Sequence, residues 1–282
     1  MDTLRDDART MSAPVIHSLN CGTMCPNAAG PLGIVDRDPG HLVAHCLLIE
    51  GANGLVLVDT GYGTGDCADH KRIGPARFLL GARFDVKETA LEQVKALGHD
   101  PADVRQILVT HLDLDHAGGL PDFPNAEVHV HQTELETMQA RKLDSKLRYR
   151  PAHFTHNPKW HTHTTDGEDW FGFKRARVIE DSGVEIAMIP LHGHSLGHSG
   201  YAINTGNGWI LHCGDAYLQR CEVESPPRVG RGLRAYHAIN SADPKLRREN
   251  ADRLSELARD HGSEVTVFSA HDAHEFDHVA AL

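Results

Sequence analysis

No apolar run in the 282-residue chain approaches the ~20 residues that cross a bilayer, and mean hydropathy is negative at −0.38. A membrane-embedded chain is excluded. Positive charge is also short. With 28 Lys and Arg against 39 Asp and Glu the net charge is −11, whereas phosphate binding needs a basic face that releases counterions. Nucleic acid is therefore not an expected partner. The opening MDTLRDDARTMSAP lacks the apolar stretch of a secretory signal, so the expected location is the cytoplasm and the six cysteines are expected as free thiols. Cys21 and Cys25 stand four apart, a spacing found in metal sites, but no second cysteine pair follows. They read as small buried hydrophobes. There is no internal repeat, low-complexity tract or linker. The expected organisation is a mobile tail over residues 1–12 and a single domain over 13–282.

Histidine is abundant, at 22 residues, and it both titrates near neutrality and ligates metals. From Val15 onward, apolar stretches of strand length alternate with turn signals. LVAHCLLIE (42–50) and LVLVD (55–59) flank Asn53-Gly54 and predict a hairpin. Strand character returns at 106–110, 126–131, 184–190, 200–204, 209–213 and 264–270. Helical periodicity appears at 87–97, 132–142 and 244–261, the last with Ser241 and Asp243 as candidate caps before Pro244. Strands with helices in their connections predict a layered α/β domain. The least regular stretch runs from Arg141 to Arg177, where His153, His156, His161 and His163 accompany Phe154, Trp160, Trp170, Phe171 and Phe173. Such a connection is either substrate-facing or a packed excursion.

The strongest local signal is VTHLDLDHAGGL at 109–120, which delivers His111, Asp113, Asp115 and His116 into a Gly-Gly turn. Alternation along an extended backbone would project 111, 113 and 115 together. Taken alone, the segment also suits a polar strand end entering a helix N-cap. Three later elements repeat the pattern of a ligand candidate at a strand end: His194 in LHGHSLGHSG, Asp215 in HCGDA and His271 in SAHDAH. Strand ends and the loops after them form the site edge of an α/β sheet. Seven candidates suit two metals sharing one carboxylate.

This order of residues resembles the metallo-β-lactamase superfamily, whose signature is His-x-His-x-Asp-His followed by a separate His, Asp and His. The likeness runs from Val15 to His271 and includes LVLVDTG (55–61), similar to the family's Asp-Thr-Gly element. It implies an αββα sandwich of two mixed sheets with helices on the outer faces. It also implies one divalent metal on His111, Asp113 and His194, a second on Asp115, His116 and His271, Asp215 between them, and Asp59 orienting a ligand imidazole. His192 and His198 then flank the ligands, and His274 and His278 read as surface residues. Asp113 departs from the signature. A carboxylate there is a harder donor than imidazole, so zinc is expected while iron or manganese is admitted.

In a site of this kind two cations ~3.5–4 Å apart activate a bridging hydroxide that attacks an acyl carbon. Asp115 is the expected proton carrier to the leaving group. The HAGG and GDAY segments look most like the branch that opens N-acyl-homoserine lactones and similar cyclic esters, where a tyrosine three residues after the bridging Asp touches the substrate carbonyl. Here Leu218 holds that place and Tyr217 precedes it, so Tyr217 is the expected substitute. A glyoxalase-type thioesterase shares the metal geometry. A β-lactamase would need export. A flavodiiron oxidoreductase would need a flavin domain after His271, and a metal-free scaffold would lack donors. The partner expected is a small molecule, and a homodimer is compatible with the family.

Overall fold

The computed structural model describes residues 13–26, 41–140, 148–164, 167–179 and 182–281. The tail expected over 1–12 lies outside the described residues. The first half comprises β1 (Ile16–Asn20), β2 (His45–Gly51), β3 (Gly54–Val58), α1 (Thr64–Ala68), α2 (Arg77–Leu80), α3 (Ala90–Ala96), β4 (Val104–Leu108), α4 (Leu114–Ala117), β5 (Glu127–His131) and α5 (Gln132–Ala140). Five strands follow, β6 (Lys159–His163), β7 (Asp169–Trp170), β8 (Phe173–Lys174), β9 (Ala176–Arg177) and β10 (Ile186–Pro190). The chain continues through β11 (Ser199–Asn204), β12 (Trp209–His212), α6 (Arg231–Asn240), α7 (Pro244–Asp260), β13 (Val265–Phe268) and α8 (Ala273–Val279).

Among the described residues these strands build one sheet in the order β1-β2-β3-β4-β5-β6 and another in the order β13-β12-β11-β10-β9. Both are mixed. Antiparallel β1-β2-β3 continues into parallel β3-β4-β5-β6, and β12 and β13 are parallel beside an otherwise antiparallel sheet. Period-two alternation assigns the faces. Leu47, Ile49, Val56, Val58 and Leu108 meet Ile186, Met188, Tyr201, Ile203 and Phe268 in one buried cluster between the sheets. Their neighbours Leu48, Leu57 and Ile107 instead pack outward against Val94 of α3 and Leu135 of α5. Ala187, Ile189 and Leu211 likewise turn out toward Leu254 and Leu257 of α7. The result is the expected four-layer αββα sandwich. Each fully buried Leu, Ile or Val contributes about 1.5–3 kcal/mol of burial.

Several local expectations shift. The hairpin forms, but Gly51 pairs with Gly54. Ala52 and Asn53 therefore make the turn, and Gly54 opens β3 at a φ of 123° that disfavours any side chain. Asp243 caps α7 by accepting from the backbone N–H groups of Lys245 and Leu246, while Ser241 instead ends α6. The stretch from 141 to 177 is not irregular throughout, because β6 adds an edge strand to the first sheet. Its sequence KWHTH is mostly exposed and carries no apolar alternation to read. Helix α6 escapes notice for a similar reason: only Leu233 and His237 are buried in it.

Candidate metal centre

The site edge is where β3 and β4, parallel neighbours, release the chain. Strand β4 stops at Leu108, so the extended run expected to reach 115 is instead a loop followed by the short helix α4. Asp59, one residue beyond β3, holds that loop. Its Oδ1 accepts from the Thr110 N–H at 2.8 Å and its Oδ2 from the Thr110 hydroxyl at 2.8 Å, while its own N–H donates to the Leu108 carbonyl at 2.9 Å. These bonds hold it at a left-handed φ of 57°, which Asp tolerates better than most residues. Asp113 occupies the N-cap position of α4, yet its carboxylate caps nothing. The helix-capping explanation of this segment is thereby set aside.

Three loops at the ends of the second sheet's strands face this segment. They carry His194 after β10, Asp215 after β12 and His271 after β13. Gly214 lets Asp215 in close. It sits at φ 52°, and a Cβ there would lie 2.6 Å from Nε2 of His198. Glu134 of α5 ties the two edges together. It accepts from the Leu112 N–H at 3.1 Å and the Tyr149 hydroxyl at 3.0 Å, and also from the Ser195 hydroxyl at 2.7 Å and the Gly197 N–H at 3.1 Å.

All seven sequence candidates meet. His111, Asp113 and His194 offer donor atoms within 4.8 Å of one another, as do Asp115, His116 and His271, and also His111, His116 and Asp215. Asp215 reaches both outer trios, with Oδ1 3.2 Å from His116 Nε2 and 3.1 Å from His271 Nε2, and Oδ2 3.5 Å from His194 Nε2. Asp113 Oδ2 lies 3.1 Å from His194 Nε2 and 3.4 Å from His111 Nε2, and Asp115 Oδ2 lies 3.7 Å from His271 Nε2.

The surrounding partners fix the imidazole tautomers. His116 donates from Nδ1 to Asp59 at 2.8 Å, and His271 donates from Nδ1 to the Val43 carbonyl at 2.7 Å. The Thr110 hydroxyl has given its proton to Asp59, so it accepts from His111 Nδ1 at 3.0 Å. Each ring thus spends its proton outward and presents Nε2 inward, the arrangement metal-ligating histidines adopt. Nε2 of His111 and of His116, Oδ1 of Asp113 and Oδ1 of Asp215 are buried with no hydrogen-bond partner among the described residues. Buried polar atoms are seldom left so, and cations in the centre would satisfy the two imidazole nitrogens and the Asp215 oxygen. The donor set fits divalent metal. The open side is lined by Asp113 and Asp115, whose side chains keep 17% and 14% exposure against 0–6% for the other donors.

The clustered donors shift one another's titration. Burial pushes the Asp215 carboxyl up, but His271, His116 and His194 more than offset it and hold the group well below the usual carboxylate range. Burial is also outweighed at Asp113, by Arg148, His111 and His194, and at Asp59, mainly by His116. His116 is raised despite burial, because Asp215 and Asp59 flank it. His194 moves the other way, to about 4. Burial and then the Arg148 guanidinium outweigh Asp215 there.

Tyr217 is placed differently from expectation. It is fully buried, packs in the cluster outside the second sheet, and its hydroxyl donates to the Glu275 carboxylate, with oxygens at 3.0 and 3.1 Å. Its hydroxyl is thus spent on Glu275 within the core. Leu218 is also core. Burial first, and then Asp215, Asp115 and Asp113, raise the phenol of Tyr236 in α6 far above the ordinary value. His198 donates from Nδ1 to the Leu191 carbonyl at 2.9 Å and accepts the Asp215 N–H on Nε2 at 2.8 Å. His192 bonds the His198 carbonyl at 3.0 Å, and His274 and His278 are exposed as expected. None of the six cysteines is disulfide-bonded; Cys21 is buried and Cys25 half-buried.

Most aromatic residues of 148–177 pack structurally. Phe154 and Trp160 lie against the first sheet's outer cluster, and Trp170, Phe171 and Phe173 against the second's. The segment reaches the centre through Arg148, whose Nη1 lies 2.7 Å from Asp113 Oδ2. Sequence reading missed Thr110, Glu134 and Arg148. Thr110, adjacent to His111, had the clearest signal.

Comparison with known proteins follows the same lines. The family profile described as Metallo-beta-lactamase superfamily matches residues 39–259. A probable metallo-hydrolase of Mycobacterium tuberculosis is 40% identical over 258 residues, covering 91% of this chain and 80% of that one. An N-acyl homoserine lactonase of Bacillus thuringiensis is 26% identical over 247 residues, covering 83% and 84%. Among solved structures, an N-acyl homoserine lactone hydrolase with N-hexanoyl-L-homoserine at its catalytic metal center superposes with a TM-score of 0.69 at 20% identity, over 95% of this chain and 97% of that one. That last likeness is one of fold.

Proposed function

The chain belongs to the metallo-beta-lactamase superfamily of hydrolases, and from that membership we propose that it is a dinuclear metal-dependent hydrolase that opens a cyclic ester or a related acyl bond. The observation that carries the reading is the pair of His/Asp trios joined by Asp215, with Nε2 of His111 and His116 and Oδ1 of Asp215 buried and unpartnered. His111, Asp113 and His194 hold one divalent cation, Asp115, His116 and His271 the other, and Asp215 lies between. Zinc is the expected occupant, with iron or manganese admitted by Asp113. Bound there, such a pair supplies Lewis acidity and an activated water, so the protein needs no nucleophile of its own.

The chain's own residues do the rest. Asp59 and Thr110 hold His116 and His111 with Nε2 inward, and His198 pins the backbone of Asp215. Asp115, on the open side, carries a proton to the alkoxide that leaves as the ring opens. The lactone preference draws on the homoserine lactonase relatives. The test is metal content measured together with a panel of lactones, thioesters, β-lactams and phosphoesters. Two equivalents of metal with fastest turnover of a lactone support the reading; a metal-free preparation that still hydrolyses the lactone refutes it.

A further inference from the structure

Three carboxylates, Asp113, Asp115 and Asp215, enter the candidate centre, and one of them is treated unlike the others. Asp113 is met by a guanidinium. Arg148 Nη1 donates to its Oδ2 at 2.7 Å, while its Oδ1 stays buried without a hydrogen-bond partner. Two further contacts hold the arginine. Its Nη2 donates to the Asn240 carbonyl at the C-terminal end of α6, where the helix dipole is negative, and the adjacent Tyr149 bonds Glu134 at 3.0 Å. The guanidinium keeps 19% exposure and Asp113 17%. Burying a cation this far beside a site built for cations is unfavourable unless an anion answers it.

We propose that Arg148 is a positioning residue for the first metal. Its guanidinium anchors one oxygen of Asp113 and cancels that carboxylate's charge, so that the Asp113–Arg148 pair does, in sum, what a neutral donor would do. The inference rests on the dinuclear reading above. Its consequence is reciprocal. Once Asp113 becomes a neutral imidazole, Arg148 loses its hydrogen-bonded carboxylate and keeps only Glu134 and the Asn240 carbonyl against its charge next to the cation, and removing the arginine as well restores the balance.

The test is a double-mutant cycle on the purified full-length protein with zinc as the probe, read by zinc retained after dialysis against chelator and by affinity in competition with a chromophoric chelator. Wild type is expected to hold two equivalents. Asp113→His alone is expected to lose at least about 100-fold in affinity for the weaker equivalent, and Asp113→His with Arg148→Met to return to within about tenfold of wild type. Arg148→Met alone should change affinity less than Asp113→His does. Should Asp113→His fail to fold, Asp113→Asn carries the same cycle without change of shape. Single and double variants of equal affinity would overturn the proposal. Fewer than two equivalents in wild type would instead count against the dinuclear reading.

Discussion

Among the described residues, histidine and carboxylate donors gather within 4.8 Å of one another in two places. One is the seven-residue centre, and the other joins His17 of β1, Glu50 of β2 and His99. In the second, both imidazoles aim at one oxygen, His17 Nε2 at 2.9 Å and His99 Nε2 at 3.4 Å from Glu50 Oε1. The donor atoms are therefore spent on one another, at 27–38% side-chain exposure. In the first, Asp59, Thr110 and the Val43 carbonyl draw the imidazole protons outward and leave Nε2 atoms buried. A density of donors does not distinguish the two; the atoms behind the donors do. A third group, His129, His161 and His163, stacks rings across β5 and β6, and His129 bonds His163 and Gln106.

The largest effect should come from the buried group. His116→Ala removes an inward donor from two trios and is expected to abolish retention of at least one metal and lower lactone turnover by about 10³-fold or more, measured by elemental analysis and steady-state kinetics. Chelation of the intact protein comes next. Ligand at 1,000 times its dissociation constant stabilises by about 4 kcal/mol, which in a chain of this length is a melting-temperature drop of roughly 8–16 °C on removal. No drop would mean that the donor atoms do not bind metal. Asp59→Asn, which keeps shape but weakens the hold on His116, should cost about 10–100-fold in metal affinity.

The third group gives a pH test. Burial first, and then His163 and His161, lower His129 from 6.5 to about 3. The unfolded chain takes this proton near 6.5 and the folded chain only near 3, so stability is complete above pH 6.5 and declines as pH falls through that window. His129→Gln should remove a slope of up to about 1.4 kcal/mol per pH unit, read as the difference between variant and wild-type unfolding curves. Smallest of all, His17→Ala with His99→Ala should leave metal content unchanged and shift stability by about 1 kcal/mol or less, as half-exposed pairs do. A lost equivalent of metal there would break the contrast between the first two groups.

Much of the centre is legible along the chain because its donors sit where strands end, and strand ends are marked by apolar runs meeting polar turns. His111 to His116 can be read within six residues, and His194, Asp215 and His271 each follow an apolar strand. Arg148 and Glu134 could not be read this way. Arg148 contacts Asp113 across 35 residues and Asn240 across 92, and Glu134 lies in a polar helix whose composition suggests only solvent. Tyr217 misled because counting positions after Asp215 assumes a chain direction that packing alone sets.

Alternation of period two already determined, without coordinates, a layered α/β domain, since alternation is a local property that the backbone enforces, and the order of histidines and aspartates, through its resemblance to the metallo-β-lactamase superfamily, implied the sandwich and its metal-binding edge. Only the tertiary structure decided which imidazole nitrogen faces inward, which carboxylate meets an arginine and which tyrosine is spent in the core. Those choices depend on hydrogen bonds and charges between residues far apart in the chain, and such contacts exist only after the sheets have closed on each other.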